Sequence, residues 1–167
     1  MKLITRPRDW YRWTAYVLLP ALAVLLGIGA LVTKLMTASH SSNVAARAES
    51  LQAAREATVA MLTYSAATVE QDLTSARSRL TGQFLEDYTK LINTQVIPSA
   101  KEKQTSAAAQ VPALASVSAK GSHAVALVFV DQTIASAKEA ATTTASSIRV
   151  TLDKVDGRWL VSGFDPV

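Results

Sequence analysis

The chain has 167 residues, enough for one globular domain beside a membrane segment, and its 49% hydrophobic and 18% charged residues exclude a disordered or collagen-like protein. It has no cysteine, which excludes a disulfide framework, thiolate chemistry, a Cys-ligated zinc and a lipoprotein-type anchor. The net charge of +4 lies wholly before residue 36, where Lys2, Arg6, Arg8, Arg12 and Lys34 face Asp9 alone; the remainder is neutral and offers nucleic acid no electrostatic footprint.

Residues 1–13 read as a basic cytoplasmic N-terminus and 14–36 as a transmembrane helix. From Thr14 to Thr33 no residue is charged. At a rise of ~1.5 Å per residue this stretch covers ~30 Å, the depth of a bilayer's hydrocarbon core. Pro20, Gly27 and Gly29 are tolerated in lipid, where water does not compete for the backbone. Trp10, Tyr11, Trp13 and Tyr16 suit the headgroup layer at its N-terminal edge. Arg6, Arg8 and Arg12 just before the span place the N-terminus in the cytoplasm by the positive-inside rule. Ala23 and Gly27 form a small-xxx-small pair, which lets a second helix approach; the alternative is a lipid-facing helix with ordinary small residues. The rival to an anchor is a signal peptide cleaved near Val44-Ala45-Ala46. The apolar run exceeds the roughly 7–15 residues of such a peptide, which favours an anchor retained in the inner (plasma) membrane.

Residues 37–43 form a polar connector, and 44–167 an exported domain. From Val44 to Tyr64 an Ala-rich helix carries Leu51, Ala54, Thr58, Met61, Leu62 and Ser65 at spacings of three and four. Thr68 and Gln71 have capping-box spacing and open a second helix bearing Val69, Leu73, Ala76 and Leu80. Gly82 stops or redirects the chain. A third helix puts Phe84, Leu85, Tyr88, Leu91, Ile92 and Val96 on one face, and Pro98 bends or ends it.

The pattern then changes to strands. Val111, Leu114 and Val117 mark the first, bulged near Pro112. After the turn Lys120-Gly121-Ser122, His123 to Ile134 is apolar on both faces and reads as a central strand covered on both sides. Ala135 to Ala145 reads as a loop. Ser146–Val155 and Arg158–Phe164 form a hairpin through Asp156-Gly157, a type I′ signal. Its two-residue turn pairs Val155 with Arg158, Lys154 with Trp159 and Leu152 with Val161, so Val150, Leu152, Trp159 and Val161 share a face. The expected fold class is α+β, with about three helices packed into a curved antiparallel sheet of about four strands.

Chemistry is sparse. His40 is juxtamembrane, and His123 has no acidic partner close in sequence. Asp131, just past the apolar core of its strand, is the one acid placed near a cone mouth, although such an Asp more often caps a strand or meets solvent. There is no G-x-S-x-G elbow, no metal-ligand spacing and no glycine-rich phosphate loop, so no catalytic residue, cofactor or metal is expected. Trp159, Tyr64 and Tyr88 read as packing residues rather than ligand-stacking ones.

Several segments resemble the Mce-associated membrane proteins of actinobacteria, accessory to the mammalian-cell-entry lipid importers. Val125-Ala-Leu-Val-Phe-Val-Asp-Gln-Thr133 resembles that family's apolar strand ending in a polar [N/D]QT. Arg149-Val-Thr-Leu152, Val155-Asp-Gly-Arg-Trp-Leu-Val-Ser162 and Asp165-Pro-Val167 resemble its terminal hairpin. Ala57-x-x-x-Met-Leu-Thr-Tyr64, Asp72-Leu73, Leu80-Thr-Gly-x-Phe84 and Val96-x-Pro98 followed by Ala100 also fit. The resemblance implies an NTF2-like or VirB8-like cone on one transmembrane helix. It implies a non-enzymatic subunit that stabilises an Mce-type importer, with the bilayer, transporter subunits and a lipid ligand as partners. A lipid-binding domain acting directly and a VirB8-like assembly factor of a secretion machine are the alternatives.

Overall fold

The computed structural model describes residues 43–137 and 140–167. The expected span over 14–36, its flanking residues Arg6, Arg8, Trp10, Arg12, Trp13 and Tyr16, the Ala23/Gly27 pair and His40 lie outside the described residues. Among the described residues no helix is long and apolar enough to cross a membrane.

Helix α1 runs through 43–62 and buries Ala46, Ala54, Ala57, Thr58 and Met61 along one stripe. It ends before Tyr64, whose backbone instead makes an antiparallel bridge with Ala107. Helix α2 (Val69–Ala76) follows and passes into a short 3-10 turn at Arg77–Arg79. Thr68 stands at its N-cap position, but with ψ 10° it is not in the extended conformation that aims a hydroxyl at the first turn. Thr68 donates to Asp72 Oδ2 at 2.7 Å, and the capping box read with Gln71 is not formed.

Gly82 has φ +60°, which redirects the chain into helix α3 (Gly82–Leu91). The rod continues through a π-helical segment, Ile92–Val96, into α4 (Ile97–Lys103). Pro98 therefore does not end the third helix: it occupies the first turn of α4, where its missing N–H costs little. The Thr89 and Thr94 hydroxyls donate to the carbonyls of Leu85 and Lys90, a local back-bonding that bends helices. Gln104 ends the rod in the left-handed conformation, φ 51°.

Strands β1 (Ser106–Lys120), β2 (His123–Ala135), β3 (Thr142–Val155) and β4 (Arg158–Pro166) form one antiparallel sheet in chain order. In β1 the register shifts between Gln110 and Ala113, where Pro112 has no N–H to give the ladder. Arg55 of α1 donates to the Val111 carbonyl at that bulge. A second shift falls between Ser116 and Ser118. The β3–β4 hairpin has the expected register, with Val155 opposite Arg158, Lys154 opposite Trp159 and Leu152 opposite Val161. Asp156 and Gly157 take φ 49° and 79°, as a type I′ turn requires. The expected loop over 135–145 is shorter, because Thr142–Ala145 pair with Ile134–Asp131. Thr suits a strand, and a paired neighbour outweighs the polar composition.

The helices cover one face of the sheet. Ala124, Ala126, Val128 and Val130 alternate inward and meet Ile148, Val150, Leu152 and Val161 in the core. Burying each of the larger side chains contributes about 1.5–3 kcal/mol. The small Ala residues let the helices approach closely. The expectation that β2 is covered on both sides is corrected: it is central, yet Val125 and Leu127 on the other face are half-buried and Phe129 is 40% exposed. The described helices all lie on the opposite side, so this apolar row borders the outer surface of the domain over residues 43–167.

Candidate functional site

Trp159 is buried where the hairpin meets α1. Its Nε1 donates to Glu49 Oε2 at 3.1 Å, and Lys154 Nζ reaches the same oxygen at 2.7 Å while lying 5.5 Å from the indole centroid. These bonds lower the Glu49 carboxyl's pKa, the Lys154 contact first and the Trp159 contact second. Trp159 is thus a packing residue that joins helix to hairpin.

His123 does find an acid, across the sheet rather than along the chain. Its Nδ1 lies 2.7 Å from Asp153 Oδ1, on the outer face and half-exposed. Asp153 also accepts from Ser162, and the two contacts, Ser162 foremost, hold its carboxyl below the usual range. The serine bonds to the aspartate and not to the imidazole, so this trio lacks the order that activates a nucleophile. Asp131 is exposed and has the outward parity of Phe129, so it does not face the cone. Its neighbour Gln132 has the inward parity and does. No group of three or more acids and histidines among the described residues is placed to hold a metal ion.

The concave side holds a cavity of about 290 Å³. The end of α1 supplies Met61 and Leu62, and α2 supplies Leu73. The third rod supplies Tyr88, Leu91, Ile92 and Val96; the sheet supplies Gln132 and Phe164; and Tyr64 closes one side. The π segment sets this wall. An i to i+5 turn brings Val96, rather than the exposed Gln95, beneath Leu91. Phe84 stacks on Phe164 at 6.2 Å and tilts against Tyr88 at 6.3 Å, which braces the far end.

Among the described residues the lining carries no charged side chain, and its polar groups are two phenols and an amide. Burial raises the pKa of both Tyr64 and Tyr88, so their hydroxyls remain neutral donors. Tyr88 is 8% exposed, and its hydroxyl is buried with no hydrogen-bond partner among the described residues. Gln132 Nε2 donates to the Leu62 carbonyl at 3.2 Å, which fixes the amide at the cavity wall. Tyr64 also lines three neighbouring hollows. They are a groove of about 610 Å³ beside Thr63 and Ser106, a basin of about 670 Å³ beside Glu102 and Lys103, and a cleft of about 300 Å³ beside Gln95 and Thr105. Such an arrangement can hold an apolar, uncharged molecule; it offers no acid–base pair for turnover. Helical spacing marks Tyr64 and Tyr88 as core and does not reach Gln132, which lies on a strand. The usable signal was parity: residue 132 continues the inward series 124, 126, 128, 130 with a polar side chain.

No protein-family model matches the chain. It is 52% identical over 159 residues to Outer membrane protein Rv1973 of Mycobacterium tuberculosis, covering 95% of this chain and 99% of that protein. Among solved structures it is similar to an IcmL-like type IV secretion system protein from Legionella pneumophila, with TM-score 0.62 and 12% identity over 72% of this chain and 91% of that one. It is also similar to the VirB8 protein of Agrobacterium tumefaciens, with TM-score 0.58 and 12% identity over 72% of this chain and 90% of that one. At these identities the structural likeness establishes a shared fold.

Proposed function

This chain belongs to the family of the mycobacterial Outer membrane protein Rv1973, and on that premise we propose that it is a non-enzymatic, membrane-associated envelope protein whose α+β domain lies outside the cytoplasm and helps a multi-protein complex assemble. The observation that carries this reading is the fold shared with VirB8 and with an IcmL-like protein of a type IV secretion system. The sheet's outer face supports it, because Phe129 stays exposed there, outside the domain's own helical cover. A VirB8-like role in assembling a secretion machine is the form of this reading closest to the fold. An Mce-type lipid importer is the alternative complex, supported by the resemblance in Val125–Thr133 and in the terminal hairpin. In both, the helix over 14–36 anchors the chain in the plasma membrane, whereas the relative's name points to the outer membrane. Fractionation of the envelope separates those two locations.

Affinity isolation of the full-length protein from its native membranes tests the assembly role. Co-purification of secretion-channel proteins, or of Mce transporter subunits, supports it and selects the complex. Recovery of the protein without any envelope partner contradicts it.

A second reading, direct handling of a lipid, is favoured by one observation: the apolar cavity walled by the π segment, whose described lining carries no charge.

A further inference from the structure

The apolar cavity shares two of its walls, Tyr64 and Val96, with a neighbouring cleft of about 300 Å³. One helical rod lines both hollows, and its chemistry changes between them. To the cavity it contributes Leu91, Ile92 and Val96; to the cleft it contributes Gln95 and Ser99 beside Val96 and Ala100. The change falls at the end of the π segment, where Val96 is half-buried and its neighbour Gln95 is exposed. The polar side chains of the cleft are open to a solute: Gln95 and Ser99 are exposed, and Thr105 is half-buried. An apolar hollow joined to one lined by an amide and hydroxyls matches a molecule with an alkyl tail and a polar head. Among the described residues neither lining carries a charged side chain, so a carboxylate or phosphate head would give up hydration without a counter-ion. The next basin offers no net charge either, since it brings Glu102 and Lys103 together. A cavity of about 290 Å³ stands at the small end of ligand sites, which suits one alkyl chain.

We propose that these two hollows bind a neutral single-chain amphiphile, with its alkyl chain in the cavity and its hydroxylated head in the cleft. The Gln95 amide can donate to and accept from such a head, and the Ser99 hydroxyl can do the same. The chain lies along Leu91, Ile92 and Val96, and Tyr64 with Val96 forms the threshold between tail and head. This assignment deepens the lipid-handling reading and rests on it.

The test uses full-length protein in phosphatidylcholine nanodiscs free of detergent, because a detergent is itself a single-chain amphiphile. Three ten-carbon probes carry a photoreactive diazirine on the chain: monodecanoylglycerol, methyl decanoate and decanoate. Peptide mapping is expected to place the monodecanoylglycerol label on the segment from Leu91 to Thr105, with decanoate labelling it weakly at equal concentration in the bilayer. Gln95→Ala/Ser99→Ala, at two exposed positions, should cut monodecanoylglycerol labelling roughly threefold to tenfold, as loss of a neutral hydrogen bond predicts. The same variant should leave methyl decanoate labelling unchanged. Leu91→Trp, which fills the cavity from its exposed rim, should abolish labelling by both esters. If the double variant labels like the wild type, or if decanoate labels as well as monodecanoylglycerol, the neutral head in the cleft is overturned while the cavity stands as a lipid site. If no probe labels this segment, or if Leu91→Trp leaves labelling intact, the lipid-handling reading falls with it.

Discussion

Tyr88 shows how a single residue can be legible in position and not in role. Its place on a helical stripe with Phe84, Leu85 and Ile92 correctly implied burial. The stripe carries no information on whether the hydroxyl has a partner, since that depends on α1, α2 and the sheet converging around it. Lipid-free Tyr88→Phe protein should therefore be more stable than the wild type, by about 1 kcal/mol in urea unfolding, because it removes a desolvated and unpaired hydroxyl. A loss of stability would mean that the hydroxyl is satisfied within the fold. His123 and Asp131 illustrate the same limit from the other direction. The acid that meets His123 is Asp153, one strand over, and alternation turns Asp131 outward while its neighbour Gln132 faces in.

At the scale of elements, local chemistry was read best where a short sequence determines geometry by itself. Asp156-Gly157 specifies the hairpin register from Val155–Arg158 to Leu152–Val161, because a two-residue type I′ turn permits one pairing, and a shift at Thr151 ends its reach. Gly157→Ala should cost about 1–2 kcal/mol, measured by thermal or chemical unfolding, because an added Cβ meets no neighbour there and the penalty is that of φ +79° alone. The second strand pair offers a pH test. Asp153 has a lowered carboxyl pKa, so its contacts with Ser162 and His123 stabilise the fold above the ordinary aspartate value of 3.8 and are lost as pH falls through the lower folded value. Urea midpoints of wild type and Asp153→Asn should differ at neutral pH and converge in that acid window. A constant difference down to low pH would contradict the pairing. Elements whose form depends on distant partners were read less well. Thr142–Ala145 became strand through pairing with β2, and Pro98 failed to end a helix because a π turn placed it at a new N-terminus.

Across the whole molecule, the α+β class and the terminal hairpin followed from pattern, while the bare face of the sheet did not. A strand with two apolar faces reads as doubly covered, and only the three-dimensional distribution of helices reveals that one of those faces borders the surface. The same arrangement distinguishes the two uses proposed for the domain: contact through its surface and retention of a lipid in its concave side. The concentration of net charge before residue 36 separates the electrostatics of that N-terminal stretch from those of the neutral remainder. The assembly role is tested most directly by the abundance of the isolated complex in membranes of a strain lacking this protein. The account predicts that its subunits are depleted and are restored by the wild type. Unchanged subunit levels would contradict it.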